Sequence, residues 1–432
     1  MKDLMNFLDR STVCFYTVKN LETLLKENGF EELSLREPFH LEEGGKYYVS
    51  LGASLYAFVL PASLSTVKAP YFRMIGAHTD SPCLRIKPDA EIVQNGYVKL
   101  NAEIYGGPIY STWLDRPLSL AGRVTLKSDN VFEPRVRYID FKRPVLTIPN
   151  LAIHMNRDVN NGVALNAQVD MLPVCSMTSD DSAIEGHYLK SQIAEQLSVS
   201  GETVAADEIL DYDLFTYPTE KAELVGFNEE FLSSPRLDDL SMLYSAARAL
   251  VNAVPSTGVN VLAAFNHEEI GSRSRTGAGS DMFLYVLEKI AASLGHDHEE
   301  FISLLLDSFL ISADVAHAIH PAHPEKHDPV LKTKLGGGPV IKLSAGQRYI
   351  TESEDYSVYE QICRKAGVPV QKFTNRSDAV GGSTIGPITA GHLPCRIVDM
   401  GIPILAMHSA RELMAVRDFD YTVKSFETFY NE

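Results

Sequence analysis

Five short segments of the chain carry side chains that bind metal ions or transfer protons. Histidine, aspartate and glutamate supply nitrogen and oxygen ligands without sulfur, a set that suits zinc or a similar divalent ion. One carboxylate can bridge two ions, and a pair of ions can hold the amine and the carbonyl of a substrate and activate a shared water. The segments are 76–80 (GAHTD), 234–239 (SPRLDD), 266–269 (NHEE), 312–314 (SAD) and 406–409 (AMHS).

The conjunction of these segments is more informative than any one of them. A His-x-Asp after a strand is usually an ordinary turn, an Asp doublet before a helix is usually an N-cap with a solvated neighbour, and a Glu doublet is usually a solvated face. In a two-metal hydrolase one carboxylate must stay off the ions to take the proton of the water, and the doublet Glu268-Glu269 offers a ligand beside a base. The five segments together therefore favour such a hydrolase.

The segments follow predicted strands of an α/β sheet. Apolar runs at 259–265, 309–315, 339–343 and 402–407 predict buried strands, and amphipathic patterns at 239–254, 281–294, 298–308 and 353–366 predict helices. Strand-like segments also occur at 46–60 and 71–77. Because the carboxyl ends of strands in an open sheet form one crevice, residues distant in sequence are expected to converge there.

A β-rich region interrupts this alternation. Strands are predicted at 98–100, 118–126, 136–141 and 144–148, with turn signals at Asn95-Gly96 and Gly106-Gly107. The predicted fold is therefore α/β, a mixed sheet sandwiched by helices, with an inserted β-rich domain. The catalytic domain is expected at 1–88 and 231–432, and the inserted domain at 89–230.

Composition narrows the functional classes. The net charge of −17 disfavours a nucleic-acid partner. No apolar run reaches the length of a membrane span, and the acidic residues near the start do not fit a signal peptide. The five cysteines are scattered and odd in number, which is typical of a cytoplasmic protein rather than a disulfide framework.

Longer stretches around the candidate residues resemble one family. They are 76–88 (GAHTDSPCLRIKP), 234–240 (SPRLDDL), 267–272 (HEEIGS), 314–321 (DVAHAIHP), 407–412 (MHSARE), 148–157 (IPNLAIHMNR), 339–349 (PVIKLSAGQRY) and 382–387 (GSTIGP). In consistent order from about residue 10 to 430, the chain resembles the aspartyl aminopeptidase family, peptidase family M18.

The resemblance implies a metallo-aminopeptidase that removes one residue, Asp or Glu, from the free N-terminus of a peptide by a two-metal, bridging-hydroxide mechanism. It implies two divalent ions per subunit, Zn²⁺ with Co²⁺ or Mn²⁺ as alternatives. Asp238 rather than Asp239 is expected as the bridge, because the family motif continues with a variable polar residue. The implied roles are terminal metal ligands for His78, Glu269, Asp314 and His408, a bridging carboxylate for Asp238, orientation of His78 for Asp80, and the general base for Glu268.

Substrate-binding roles are also implied by the resemblance. His154 would come from a neighbouring subunit, so the inserted domain is expected to form a dimer that completes each active site, within a homododecamer of twelve subunits. His317 lines the expected pocket. Segment 375–381, which contains the candidate Asp378, departs from the animal members at 379–381 (AVG). The substrate-binding candidates are His154, His317, Lys342, Tyr349 and Asp378.

Specificity for acidic residues needs a local cation, because a strongly acidic chain does not attract acidic peptides at long range. Lys342 is the predicted cation; without the resemblance it would be interpreted as an edge-strand lysine. Two other functions remain open: a two-metal deacylase that cuts a non-peptide amide, and a catalytically silent scaffold. The cluster His317, His320, His323 and His327 is interpreted as structural or solvated apart from His317, and Gly336–338 as a flexible loop beside the pocket.

Overall fold

The computed structural model describes residues 1–63, 71–179, 187–255 and 257–432, which form two compact units. The first comprises 1–81, 222–407 and 412–432, and the second 82–221 and 408–411. The predicted boundary at 88/89 differs because one continuous strand, Cys83–Gln94, passes through it. Residues 222–230 fall in the first unit because Glu223–Val225 pairs with Phe231–Ser234.

The elements are numbered in chain order within the described residues. The strands are β1 (Glu31–Glu32), β2 (Lys46–Ser50), β3 (Leu55–Val59), β4 (Phe72–His78), β5 (Cys83–Gln94), β6 (Tyr97–Tyr105), β7 (Leu118–Leu126), β8 (Arg135–Asp140), β9 (Val174–Met177), β10 (Ile209–Pro218), β11 (Glu223–Val225), β12 (Phe231–Ser234), β13 (Val259–Phe265), β14 (Phe309–Ala313), β15 (Ala316–His317), β16 (Val340–Lys342), β17 (Gln371–Phe373), β18 (Arg396–Gly401), β19 (Pro403–Leu405) and β20 (Glu412–Ala415). The α-helices are α1 (Lys2–Arg10), α2 (Cys14–Glu27), α3 (Tyr188–Val199), α4 (Leu237–Asn252), α5 (Met282–Ser293), α6 (His298–Leu306), α7 (Ser353–Ala366), α8 (Ile385–Thr389) and α9 (Val416–Tyr430).

The first unit is built on a mixed nine-stranded sheet of order β1-β2-β3-β13-β4-β14-β18-β16-β17. Its centre, β13-β4-β14-β18, is parallel, whereas β3 and β16 pair antiparallel. Every residue of β4 and β13 is buried, as expected of central strands covered on both faces. Helices α1, α2, α4, α7 and α9 contribute to one apolar core and α5, α6 and α8 to another. The predicted α/β fold is therefore confirmed.

The second unit contains a six-stranded sheet of order β8-β7-β10-β5-β6-β9. A tight turn at Asn95-Gly96 connects β5 and β6, and both turn residues have positive φ, as the turn signal predicts. The strand predicted at 144–148 does not form; only isolated bridges occur at Leu146 and Thr147. Pro144 and Pro149 lack backbone N–H donors, which limits pairing on both sides of these bridges.

A smaller five-stranded sheet, β11-β12-β20-β19-β15, completes the first unit. Its strand β15 begins two residues after Asp314, so it continues the chain directly from one candidate metal ligand. Among the described residues, the helices are all too short or too polar to cross a membrane.

Candidate metal centre

Adjacent strand ends bring the predicted residues of the first unit together. His78 is the last residue of β4, and Asp314 follows the last residue of the neighbouring β14. On the other side of β4, β13 is followed by a 3₁₀-helix, Glu268–Ile270, that contains the Glu doublet. Asp238 lies in the first turn of α4. The carboxyl ends of β13, β4 and β14 thus form one crevice, as parallel pairing requires.

The side chains are close enough to share metal ions. His78 Nε2 lies 3.3 Å from Asp238 Oδ1 and 3.9 Å from Glu268 Oε2. One ligand atom from each of His78, Asp238, Asp239 and Asp314 lies within 4.8 Å of the others, and His78 forms a second such group with Glu268 and Glu269. The geometry brings together five buried or half-buried carboxylates around one imidazole.

Asp80 contacts both the imidazole of His78 and the backbone of the Glu doublet. The Nδ1 atom of His78 lies 3.0 Å from the Asp80 carbonyl oxygen and 3.5 Å from its carboxylate. The same carboxylate accepts hydrogen bonds from the backbone N–H groups of Glu268, at 3.2 Å, and Glu269, at 3.3 Å. A proton on Nδ1 leaves the lone pair on Nε2, which faces the carboxylates, an arrangement that metal-binding histidines commonly show.

Two further acidic residues belong to this site and have no role in the sequence-based assignment. Asp239 Oδ2 accepts a hydrogen bond from the backbone N–H of His78 at 3.0 Å. Glu412 Oε2 accepts one from the backbone N–H of Asp238 at 3.0 Å. Both residues are buried and hold the backbone of a candidate ligand. Two features of the sequence could have indicated these residues: the Asp doublet 238–239 and the position of Glu412 at the end of segment 407–412.

Burial and mutual repulsion make the carboxylates hard to ionise. Burial raises the pKa of Glu269 and of Asp239 well above the ordinary range, and it raises the pKa of Asp314 as well. Burial raises the pKa of Glu268 to about 8, with Asp314, Asp80 and Asp238 contributing in the same direction. Burial acts to lower the pKa of His78, but Asp239 and its other acidic neighbours outweigh it and raise this pKa well above its usual value.

These observations fit a site for divalent cations. Buried carboxylates in excess of buried cations are costly unless positive charge is supplied. Among the described residues, Asp239 Oδ1 is buried and accepts no hydrogen bond. The donors are imidazole nitrogen and carboxylate oxygen, which zinc and related ions prefer.

Lys342 lies beside this cluster and is buried. Its Nζ donates hydrogen bonds to the carbonyl oxygens of Asp314, at 2.8 Å, and Val315, at 3.1 Å, and lies 3.8 Å from Asp314 Oδ1. It also lies 5.2 Å from the centre of the Tyr349 ring. Burial acts to lower the pKa of Lys342, but Asp314, Tyr349, Asp399 and Asp239 together outweigh it and the net direction is upward. Lys342 therefore contacts the backbone of a candidate ligand.

A cavity of about 300 Å³ is lined by residues that are close in sequence to Asp314 and His408. It is lined by the predicted residue His317 and by several other basic side chains, and its wall ends at Met407, directly before His408. The ring of His317 packs on Phe373, which also packs on Tyr349. The other basic residues of the lining are His320, Lys326, His327 and Arg376.

Asp378, a predicted substrate-binding residue, pairs with one of these basic residues. Its carboxylate accepts hydrogen bonds from Arg376 at 2.9 Å and 2.7 Å, and this bonding lowers the pKa of Asp378 to about 2. Arg376 also donates to the carbonyl oxygen of Glu325 at 2.6 Å. The structure thus gives Asp378 a direct contact with a cation of the cavity wall.

Gly336–338 was expected to be a flexible loop, but both of its outer glycines are hydrogen-bonded. The backbone N–H groups of Gly336 and Gly338 donate to the carboxylate of Asp418 at 2.6 Å and 2.8 Å. Asp418 lies in the first turn of α9 and is fully buried. This side chain therefore tethers the loop to a core helix.

The remaining candidates, His408 and His154, lie in the second unit. His408 Nδ1 is 3.0 Å from the carbonyl oxygen of Gly107, so a proton on Nδ1 again places the lone pair on Nε2. His154 is exposed, in a segment that also exposes Leu151, Ile153 and Met155. The metal and substrate roles of these two residues remain predictions.

The fold and the cluster define a class of protein: a metal-dependent hydrolase with its carboxylate-rich centre at the carboxyl ends of a mixed sheet. Residues 7–430 match the family described as aminopeptidase I zinc metalloprotease (M18). The chain belongs to this M18 family, as its sequence motifs predicted, and it is a metallo-aminopeptidase.

Relatives and solved structures agree with this assignment. A probable M18 family aminopeptidase 2 from Clostridium acetobutylicum is 49% identical over 432 residues, covering 100% of this chain and 98% of the relative. The chain in a cryo-EM structure of an Ape4 and Nbr1 complex matches with a TM-score of 0.93 and 35% identity, covering 99% of this chain and 84% of that one. The S. cerevisiae mApe1 dodecamer matches with a TM-score of 0.84 and 25% identity, covering 99% and 95%.

Proposed function

We propose that this aminopeptidase removes single residues from the free amino ends of peptides, with a preference for Asp and Glu, and that it uses two divalent ions, preferably zinc. The observation that carries the proposal is the convergence of His78, Glu268, Glu269 and Asp314, at neighbouring strand ends, with Asp238 in the first turn of α4. One imidazole and this many buried carboxylates can serve two ions but exceed what one ion needs.

In this proposal the ions would be held by Asp238, as the bridging carboxylate, and by His78, Glu269, Asp314 and His408, as the terminal ligands. When bound, the ions polarise the scissile carbonyl and lower the pKa of water. Other residues of the chain position the ligands. Asp80 keeps the ligand nitrogen of His78 directed at the cluster, Asp239 accepts a hydrogen bond from the backbone of His78, and Glu412 accepts one from the backbone of Asp238.

Glu268 is proposed as the general base. Its side chain is 14% exposed, so it lies at the surface of the cluster, where it can meet water. It would take a proton from the attacking water and deliver it to the leaving amine as the C–N bond breaks. The raised pKa of Glu268 is compatible with proton transfer near neutral pH, and bound cations would lower that pKa towards the ionised form required of a base.

The preference for acidic residues is supported by the cationic lining of the cavity next to His317. Arg376 is the strongest candidate to meet a substrate carboxylate, because its guanidinium is held in a fixed orientation by Asp378 and by the Glu325 carbonyl. Lys342 acts indirectly in this proposal, through the backbone of Asp314 and Val315.

A hydrolysis panel covering all amino-terminal residues, run on protein of defined metal content, tests the proposal. Asp and Glu substrates should have the highest kcat/KM, and Arg376→Gln should lower it for them by at least about tenfold while Leu and Ala substrates change little. Arg364→Gln, an exposed ion-paired arginine elsewhere on the surface, is the matched control. Best activity on Leu would refute the acidic preference, and activity only on N-acylated amino acids would indicate a deacylase.

We also propose a cytoplasmic homododecamer built from dimers in which His154 enters a neighbouring active site. The structure of S. cerevisiae mApe1 is a dodecamer, and the exposed apolar residues around His154 suit a buried interface. No disulfide links any of the five cysteines, all within the described ranges, which agrees with a reducing compartment. Light scattering of the metal-loaded protein should give the mass of twelve chains; a monomer would refute the assembly.

A further inference from the structure

A second polar site lies at the opposite end of the central sheet, in the first unit. Arg73 near the start of β4 is paired in register with Phe309 at the start of β14, and Phe309 is paired with Arg396 at the start of β18. These residues mark the amino ends of the parallel strands. Arg73 is five residues before His78, which separates the two along the strand by roughly 16 Å.

Arg73 is 2% exposed, which is unusual for an arginine. Its Nη atoms donate hydrogen bonds to the carbonyl oxygen of Thr257 and, at 2.9 Å, to the hydroxyl of Thr257. Its Nε is buried and has no hydrogen-bond partner among the described residues. Within that same part of the chain, no carboxylate lies within ion-pair distance of Arg73. Burial lowers the pKa of Arg73 and the charge of Glu432 offsets this only in part, so this buried charge is only partly compensated.

A cavity of about 340 Å³ opens beside Arg73, within the size range of small-molecule sites. Arg396 is its second cation: Nε donates to Asp355 at 3.0 Å, and the guanidinium lies 5.6 Å from the centre of the Phe309 ring. In the described part of the chain, the Nη atoms of Arg396 have no hydrogen-bond partner. Part of the remaining wall is apolar and is formed by Leu306, Val358, Ile362 and Phe429, and two acidic residues, Asp307 and Glu432, also line the cavity.

We propose that this cavity binds a small organic carboxylate with an apolar body, about the size of a single N-blocked amino acid, whose carboxylate lies between Arg73 and Arg396. Two guanidinium groups suit a planar carboxylate, which accepts paired hydrogen bonds. The aliphatic and aromatic walls favour an organic ligand over a bare inorganic anion. This site is independent of the proposed peptidase mechanism and uses none of its residues.

Isothermal titration of the metal-loaded protein with N-acetyl-leucine tests the proposal, with leucinamide and inorganic phosphate as comparison probes. N-acetyl-leucine should bind saturably at one site per chain. Leucinamide lacks the carboxylate and phosphate lacks the apolar body, so neither should compete for that site. Binding of N-acetyl-leucine should weaken by at least about tenfold in Arg396→Gln and in Arg73→Met, because each loses a charge-assisted contact.

The controls separate this site from the metal centre and from misfolding. Arg396 has a side chain that is 44% exposed, so Arg396→Gln should fold even if Arg73→Met does not. Arg364→Gln, on the same helix as Val358 and Ile362, should bind like the wild type. Absence of binding by the wild type, equal binding by the wild type and Arg396→Gln, or phosphate competing as well as N-acetyl-leucine would each overturn the proposal.

Discussion

Replacing Lys342 with Met separates a positioning role from direct contact with substrate. Met keeps most of the length of the side chain and removes its charge and its donors. In the wild type, Nζ donates to the carbonyl oxygens of Asp314 and Val315 and lies 3.8 Å from the carboxylate of Asp314. The variant therefore leaves two buried carbonyl groups and one buried carboxylate without this cation.

The expected cost follows from these contacts. Breaking a buried ion pair by removing one partner costs about 3–5 kcal/mol, so we expect the free energy of unfolding to fall by about that amount. Release of the backbone at Asp314 should also displace this ligand, and a displacement of about 1 Å near reacting groups can lower turnover about 10²-fold. Because Asp314 serves every substrate, the loss in kcat should be similar for acidic and neutral substrates.

Steady-state kinetics on Asp, Glu, Leu and Ala substrates, with metal content and chemical unfolding measured on the same samples, give the result. Lys372→Met is the matched control: this exposed lysine lies on the adjacent β17, and its loss should change stability by no more than about 0.5 kcal/mol. A loss confined to Asp and Glu substrates, with Leu and Ala rates and stability unchanged, would refute the positioning role and restore direct contact between Lys342 and the substrate.

Three further predictions concern the base, the assembly and the pH dependence of stability. Glu268→Gln should retain both metals while kcat falls by about 10²–10⁴, whereas His408→Ala or Asp238→Ala should lose metal. Elemental analysis measures the metal content. Loss of metal in Glu268→Gln would reverse the assignment of the doublet. Mixing His154→Ala subunits with Glu268→Gln subunits should restore part of the activity when subunits exchange, because a mixed dimer contains one site with both residues intact. No recovery of activity after proven exchange would exclude the shared site. Burial raises the pKa of Asp418 to about 6, above the value of about 3.9 in an unfolded chain. The contribution of Asp418 to the free energy of unfolding is therefore full below a pH of about 4 and is lost as the pH rises through about 6. Relative to Asp418→Asn, the wild type should lose about 3 kcal/mol across that interval in denaturant unfolding, and parallel pH profiles would contradict this.

The central elements could be predicted because their signals are local. Strand β13 was predicted at 259–265 and forms over those residues, since a strand buried on both faces must be almost continuously apolar. Helix α7 was predicted at 353–366 and is confirmed; it ends before Gly367, whose φ of 65° suits a helix C-terminus. The segment 144–148 has apolar residues, but it lies beside Pro149 and begins with Pro144, and it forms only isolated bridges, so composition alone was misleading there.

The cluster could be predicted in outline but its supporting contacts could not. His78, Asp238, Glu268 and Asp314 each follow or open a predictable element, so the rule that strand ends converge was sufficient to group them. The contact between His78 and Asp239 joins residues 161 apart in sequence, and no local pattern reports it. Lys342 was predicted as a cation within the pocket, but its contacts with the carbonyl oxygens of Asp314 and Val315 were not, because these residues lie 28 and 27 positions away.

Asp80 shows why these supporting contacts matter for the chemistry. Orientation of His78 alone would need only a hydrogen bond to Nδ1, and the carbonyl oxygen of Asp80 already lies 3.0 Å from that atom. The carboxylate is instead within hydrogen-bond reach of the backbone N–H groups of Glu268 and Glu269, residues 188 and 189 positions away. One aspartate therefore fixes the distance between a candidate ligand, His78, and the candidate base. Because Glu268 is the candidate base and Glu269 a candidate ligand, a change at Asp80 that weakens these two contacts should lower both kcat and metal content, as steady-state kinetics and elemental analysis would show.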